Sequence, residues 1–289
     1  MVMEVLAGLN IRPGRLYVDG TVGEGGHAAA ILDRLLQAGE LIGLDKNPDV
    51  LQRAASRLAP YTSRFRLFHR SFSQLGEVLE AIQVQEAAGI LLDLGLSLYL
   101  LEHSGRGFSF RRDEPLDMRF DPLEPVPTAA DLLNTSSPSE LETIFRAYGE
   151  EPQARLLARR VVEARRRRPF RTTRDLVEVV TTVIRPKGPR SRIHPATRVF
   201  QALRIAVNRE LEELETFLSR APDWLAPQGR LVVLSYHSLE DRLVKQRFLE
   251  WERGGVAKRL TKKPSRPGPE EVRRNPRART ARLRIAEKI

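Results

Sequence analysis

Residues 19–27 read Asp-Gly-Thr-Val-Gly-Glu-Gly-Gly-His. The glycines at 20, 23, 25 and 26 allow a tight turn and a close approach of a ligand to the backbone. A helix that starts on such a loop offers free N–H groups to a phosphate or a carboxylate. Asp45 stands nineteen residues beyond Gly26, at the end of a short apolar run. That is where a carboxylate grips a ribose hydroxyl pair in nucleotide-binding βα units. Each feature also has a plainer reading: a turn that merely needs glycine, and an aspartate that caps the next helix. The succession of strand, glycine loop, helix, strand and acid favours the nucleotide. A dinucleotide loop would follow Gly-x-Gly-x-x-Gly, whereas here Asp19 precedes the loop and Glu24 lies inside it. Two carboxylates repel a pyrophosphate and suit a cationic amine and sulfonium, so the expected cofactor is S-adenosylmethionine rather than NAD. Asp93 ends another apolar run and adds a third acid beside the same cleft.

Other residue types bound the chemistry further. The chain has 289 residues, no cysteine and five histidines without metal-ligand spacing, which excludes thiolate chemistry and leads us to expect no metal. No apolar run approaches the ~18 residues of a membrane span, and the first eight residues lack the basic start of a signal peptide, so a cytoplasmic protein is expected. Residues 253–289 hold 13 Lys+Arg against 3 Glu, or +10 of the total +11; residues 155–174 hold nine Arg against one Glu. Two basic blocks on a near-neutral remainder point to a polyanion, most simply nucleic acid. A solvated helix and a loose tail are the alternative. Candidate nucleic-acid contacts are Arg106 and Phe108, with Phe110 as a second ring for base stacking. Arg165, Arg166, Arg167 and Arg168, then His237, then Lys262 and Lys263 complete the set. Arginines at a helix end also satisfy the helix dipole, Phe108 or Phe110 could equally be core, and His237 could equally be a structural hydrogen-bonding residue. His69 and His103 read as surface or capping residues, and His27 as a helix-start residue against the cofactor.

The elements that must position these residues alternate between two periods. Short apolar runs at 15–19, 40–45, 65–70 and 89–94 read as strands, the last apolar on both faces as a buried parallel strand is. Helical spacing occupies 27–37, 49–58 and 76–82. Such alternation predicts right-handed crossovers and a parallel sheet. Residues 104–128 are rich in Gly, Pro, Arg and Asp and read as a long ordered loop. Helical faces then follow, Leu141, Ile144, Phe145 and Tyr148 on one and Ala154, Leu157, Ala158 and Val161 on another, with a third helix at 173–184. Residues 185–192 read as a linker. One long helix is predicted from His194 to about Arg220, a strand at 229–235, a helix at 239–251 and an edge strand at 281–286. The expected architecture is a doubly wound α/β domain, residues 1–104 and 196–289, with an inserted all-helical domain at 105–195.

Longer blocks carry a resemblance. The loop at 20–27 is followed by Leu91-Leu92-Asp93-Leu94-Gly95, Arg106-Gly107-Phe108-Ser109-Phe110 and Pro115-Leu116-Asp117-Met118-Arg119. Residues 194–204, beginning His194-Pro195-Ala196-Thr197-Arg198, residues 235–242, beginning Ser235-Tyr236-His237-Ser238, and Asn275-Pro276-Arg277-Ala278-Arg279 complete the set. Together they strongly resemble the MraW family over nearly the whole chain. The resemblance implies a class I (Rossmann-like) methyltransferase sheet with a helical substrate-recognition insertion. It further implies transfer of a methyl group from S-adenosylmethionine to N4 of one cytidine in the decoding region of 16S rRNA, on the small ribosomal subunit. By position, Gly25, Gly26 and His27, beside Glu24, hold the methionine part of the cofactor, Asp45 the ribose and Phe72 the adenine, while Asp93 sits by the methyl donor. One position departs from the family pattern: Leu100 stands where a glutamine is expected, which puts a polar cofactor contact there in question.

The exocyclic N4 of cytosine is a poor nucleophile because its lone pair is delocalised into the ring. Catalysis must align it with the sulfonium methyl, and an acceptor at its N–H helps the lone pair turn outward. Asp93 is the candidate catalytic acceptor; cofactor binding alone is its competing role. The alternatives in function are a DNA amino-methyltransferase and a non-catalytic RNA-binding ribosome assembly factor on the same fold.

Overall fold

The computed structural model describes residues 1–36, 39–184 and 194–289. Gln37, the end of the first predicted helix, and the linker predicted at 185–192 lie outside the described residues. The chain forms two compact units, residues 1–97 with 211–289 and residues 98–210. The first opens with α1 (Val2–Leu9), β1 (Leu16–Asp19), α2 (Gly26–Leu35), β2 (Glu40–Asp45) and α3 (Pro48–Leu58). It continues with β3 (Phe65–His69), α4 (Leu75–Ala81) and β4 (Ala87–Asp93). The second unit holds α5 (Leu98–Glu102), α6 (Ala129–Thr135), α7 (Pro138–Ala147), α8 (Ala154–Arg167), α9 (Thr173–Val183) and α10 (Ala196–Asn208). The first unit resumes along α11 (Glu210–Arg220) and adds β5 (Leu225–Ser235), α12 (Ser238–Arg253), β6 (Ala257–Arg259), α13 (Pro269–Arg274) and β7 (Arg282–Lys288).

The seven strands run in the order β3-β2-β1-β4-β5-β7-β6, parallel from β3 to β5 and antiparallel where β7 meets β5 and β6. The direction of winding reverses between β1 and β4, and in doubly wound sheets ligands bind beyond the carboxyl ends of the strands at that reversal. Both faces are covered. One buries Ile42, Leu92, Val233, Phe217 and Phe248, with side chains from α4, α11 and α12; the other buries Leu6, Ile31, Leu32, Leu41 and Leu283, with side chains from α1, α2 and α3. A fully buried apolar side chain of this size stabilises by about 1.5–3 kcal/mol, so the strand ends sit on a rigid platform.

Two expectations are corrected here. Residues 281–286 were expected at the sheet's edge, but β7 lies inside it, because the three-residue β6 pairs with its outer side. The single helix expected from 194 to 220 is two helices, separated at Arg209, whose φ of 52° is left-handed and cannot continue a helix. In the second unit Leu133, Leu141, Phe145, Leu157, Val161, Leu176, Val180 and Leu203 form the buried interior. This unit spans 98–210 where 105–195 was expected, and at its C-terminal end α10 packs on α6, α7 and α9.

Candidate active site

Asp19, Asp45 and Asp93 are the last residues of β1, β2 and β4, so the parallel register alone gathers three carboxylates at one end of the sheet. The loop after β1 is locked onto them. Gly23 donates its backbone N–H to Asp45 Oδ2 at 3.0 Å and Asn47 donates to Asp45 Oδ1 at 2.9 Å. The backbone N–H of Asp93 donates to Thr21 Oγ1 at 2.6 Å, which ties β4 to the loop. Gly25, the N-cap of α2, has φ 80°, a conformation in which any other residue would be strained. The helix then starts and carries His27 inward.

His27 Nδ1 lies 3.3 Å from Asp93 Oδ2. Gly95 N–H donates to Asp93 Oδ1 at 3.3 Å, and the Tyr236 hydroxyl stands beside this carboxylate. Burial works to raise the Asp93 pKa, yet the bonds from His27, Tyr236 and Gly95 together hold it below the usual carboxylate value. Burial likewise works to lower His27, but the bond to Asp93 and the charges of Asp93 and Asp19 raise it. Asp19 behaves oppositely. It is 1% exposed, one oxygen accepts from Thr21 N–H at 3.2 Å, and burial pushes its pKa up to about 7. Burial raises Asp45 too, against the backbone N–H groups it accepts.

Two buried atoms of this cluster, Asp19 Oδ2 and His27 Nε2, have no hydrogen-bond partner among the described residues. A buried polar atom without a partner costs about 1–3 kcal/mol, so it marks a place where a ligand group can supply one. An unpaired carboxylate oxygen and an imidazole nitrogen together match the ammonium and carboxylate of an amino acid. The cluster therefore fits the methionine end of S-adenosylmethionine. Asp45 retains acceptor capacity on both oxygens for a ribose hydroxyl pair. Phe72 lies just after β3, half-buried, its ring edge-on to Phe217 at 5.7 Å. Glu24 sits half-buried inside the loop between Gly23 and Gly25.

The expected RNA contacts divide. Lys262 and Lys263 are exposed, as are Arg166, Arg167 and Arg168, the last with an ion pair to Asp175 at 3.1 Å. Arg165 turns inward and donates to the carbonyls of Leu133 and Ser136 at 2.8 and 2.7 Å, where α6 ends with unsatisfied acceptors. Phe108 is 7% exposed and stacks on Phe120 at 5.7 Å, and Arg106 donates to the carbonyls of Arg119 and Phe120, both at 3.1 Å. Phe108 thus takes the core role that the sequence left open for one of the two rings, and Arg106, a candidate RNA contact, braces the loop at 119–120. Phe110 packs between His194 and Phe200. His237 is the N-cap of α12, with Nε2 3.0 Å from Glu240 Oε1, which gives it the structural role left open by the sequence. Leu100 is a buried side chain of the second unit.

Sequence reasoning missed Tyr236 and Thr21. Asp93 is paired with Leu234 across the β4–β5 ladder, so Tyr236, two residues on, falls beside it. A signal existed in the short polar run that ends β5, but only the strand register assigns the carboxylate as its partner.

The chain matches the MraW methylase family over residues 1–289. The ribosomal RNA small subunit methyltransferase H of Gloeobacter violaceus is 48% identical, over 100% of this chain and 87% of that protein. Its namesake from Desulfosudis oleivorans is 46% identical, over 99% of this chain and 96% of that protein. Among solved structures, Aeropyrum pernix fibrillarin in complex with natively bound S-adenosyl-L-methionine gives a TM-score of 0.43 at 9% identity, over 98% of this chain and 74% of that one. A full-length family match and relatives well above 40% identity place the chain in the MraW methylase family.

Proposed function

We propose that the protein methylates the exocyclic N4 of a cytidine in the decoding region of 16S rRNA, on the small ribosomal subunit, with S-adenosylmethionine as donor. The observation that carries this reading is the Asp93 carboxylate, kept ionised at the end of β4 with 23% of its side chain still exposed. S-adenosylmethionine, when bound, supplies an electrophilic methyl group. Asp19, His27 and the backbone around Gly25 and Gly26 hold its amino-acid end, Asp45 its ribose, with Glu24 and Phe72 completing the pocket. Asp93 accepts a hydrogen bond from the amino group of the base and offsets the positive charge that builds on that nitrogen until a proton leaves. The exposed cations Arg166, Arg167 and Arg168 and Lys262 and Lys263 carry the phosphate contacts, and the helical unit serves substrate recognition.

Transfer of label from S-adenosylmethionine to purified small subunits, followed by mass mapping of the modified nucleoside, tests the reading. Label on N4 of one cytidine is the expected result. Label on DNA but not on subunits would replace the substrate. No label on either, with retained RNA binding, would leave a binding factor on a methyltransferase fold.

A further inference from the structure

We propose that Tyr236 is a positioning residue for methyl transfer, which orients the Asp93 carboxylate and the turn at 94–97 as one unit. The proposal rests on the reading above, in which Asp93 faces the reacting amine. Tyr236 touches this site twice. Its hydroxyl stands beside the Asp93 carboxylate and favours its charged form. Its ring lies against the turn, for a Cβ on Gly95 would sit 2.8 Å from Tyr236 Cε2, 3.0 Å from Cζ and 3.2 Å from Asp93 Oδ1. Those distances are shorter than ordinary van der Waals contact, so only glycine lets ring, carboxylate and turn meet.

Tyr236 is itself fixed. Its backbone N–H donates to Glu240 Oε2 at 2.8 Å, within the capping arrangement that starts α12, and its ring packs on the buried cluster that includes Ala281 and Leu283. The phenol stays a donor at any working pH, because burial, Asp93, Glu240 and Glu271 all oppose its ionisation. The charged neighbours of Asp93 from the remaining elements are His27 on α2 and Asp19 at the end of β1, beyond which Asp45 on β2 acts on Asp19. A carboxylate on a short side chain can rotate. Donors from His27, Gly95 and Tyr236 leave it one orientation, and a misplacement of about 1 Å at a reacting centre loses on the order of 10²-fold in rate.

The test is Tyr236→Phe, assayed by single-turnover methylation of small subunits at saturating cofactor, with cofactor affinity measured separately by calorimetry. Turnover is expected to fall by about 10–100-fold, the usual loss on removing a hydrogen-bond partner behind a working group, with affinity retained. Asp93 loses a donor to its charged form, so the acid limb of the rate profile should move to higher pH. In an Asp93→Asn background the same substitution should add no further loss, because Tyr236 acts through Asp93. Gly95→Ala, which pushes on the ring and keeps the hydroxyl, should give the same pattern and serves if the first variant melts early. Wild-type turnover in Tyr236→Phe, an equal fractional loss in both backgrounds, or loss of affinity in step with turnover would each overturn the proposal. A wild-type protein that methylates no subunit would instead overturn the function on which it rests, and the proposal with it.

Discussion

Two aspartates of the same unit are each held by side-chain donors, but by donors of different kinds. Asp241, on α12, accepts from Arg284 Nε at 2.7 Å and from Arg282 at 2.9 Å, both on β7. Burial works to raise its pKa, and the two guanidinium groups hold it below the ordinary value. Asp93 is held below the ordinary value as well, but by an imidazole, a phenol and a backbone N–H. A guanidinium keeps its proton under all working conditions and fills a carboxylate in a bidentate fork. An imidazole and a phenol supply single bonds and leave acceptor capacity unused. Asp241 is 12% exposed and finished; Asp93 is 23% exposed and still has somewhere to bond. The nature of the donors, rather than the depression of the pKa, separates the carboxylate that builds the fold from the one available for chemistry.

That contrast can be broken by substitution. Asp241→Ala leaves Arg284, 4% exposed, as a buried cation without its partner, and is expected to lower the unfolding free energy by about 3–5 kcal/mol in urea titration. A loss under 1 kcal/mol would place Asp241 with the functional carboxylates. Asp93→Asn should do the reverse: an unchanged urea midpoint, and single-turnover methylation slower by about 10²–10³, or 2.7–4 kcal/mol of barrier. Near-wild-type turnover would show that Asp93 needs only its oxygen and not its charge.

Asp19 extends the series to a carboxylate with one oxygen unpaired. Its folded pKa, about 7, lies above the ordinary value of 3.8, so in between the native protein binds a proton that the unfolded chain does not. Its contribution is therefore present at low pH and lost as pH rises from about 4 to about 7, by about 1.4 kcal/mol per pH unit at most, and is flat above. Asp19→Asn should remove that slope in cofactor-free protein, as urea titrations at stepped pH would register. The smallest effect belongs to exposed cations. Changing Lys262 and Lys263 to Gln should leave stability alone and reduce the slope of log affinity for RNA against log salt by about 0.7–0.9 per lost phosphate contact. An unchanged slope would show that these lysines touch no phosphate.

The parallel half of the sheet was legible because buried parallel strands read as apolar runs and their crossovers as helical spacing. The glycine loop, Asp45 and Asp93 were legible because strand ends align in a parallel register, so spacing along the chain becomes proximity. What stayed hidden depends on pairing. Ala257–Arg259 is too short to show a period, and without it β7 reads as an edge. The apolar face of 199–218 runs on through Arg209, so the break at a positive φ leaves no trace in the pattern. Tyr236 needed the β4–β5 register to meet Asp93. Charge counting failed in the same way: Arg165, Arg282 and Arg284 belong to basic blocks in the sequence, yet carbonyls and Asp241 absorb them in the fold.

The interior position of β7 sets an order of assembly during synthesis. A nascent chain that has emerged only as far as β6 can already align β1 to β5, but β5 presents an open edge over residues 230–235, most of them apolar. Such an edge invites pairing with other chains and engages chaperones. The segment that closes it also supplies Ala281 and Leu283 to the buried cluster on which Tyr236 packs. A half-made protein would thus carry the glycine loop and the three aspartates while lacking part of the support that aims one of them, and methylation competence would arrive only with residues 281–288.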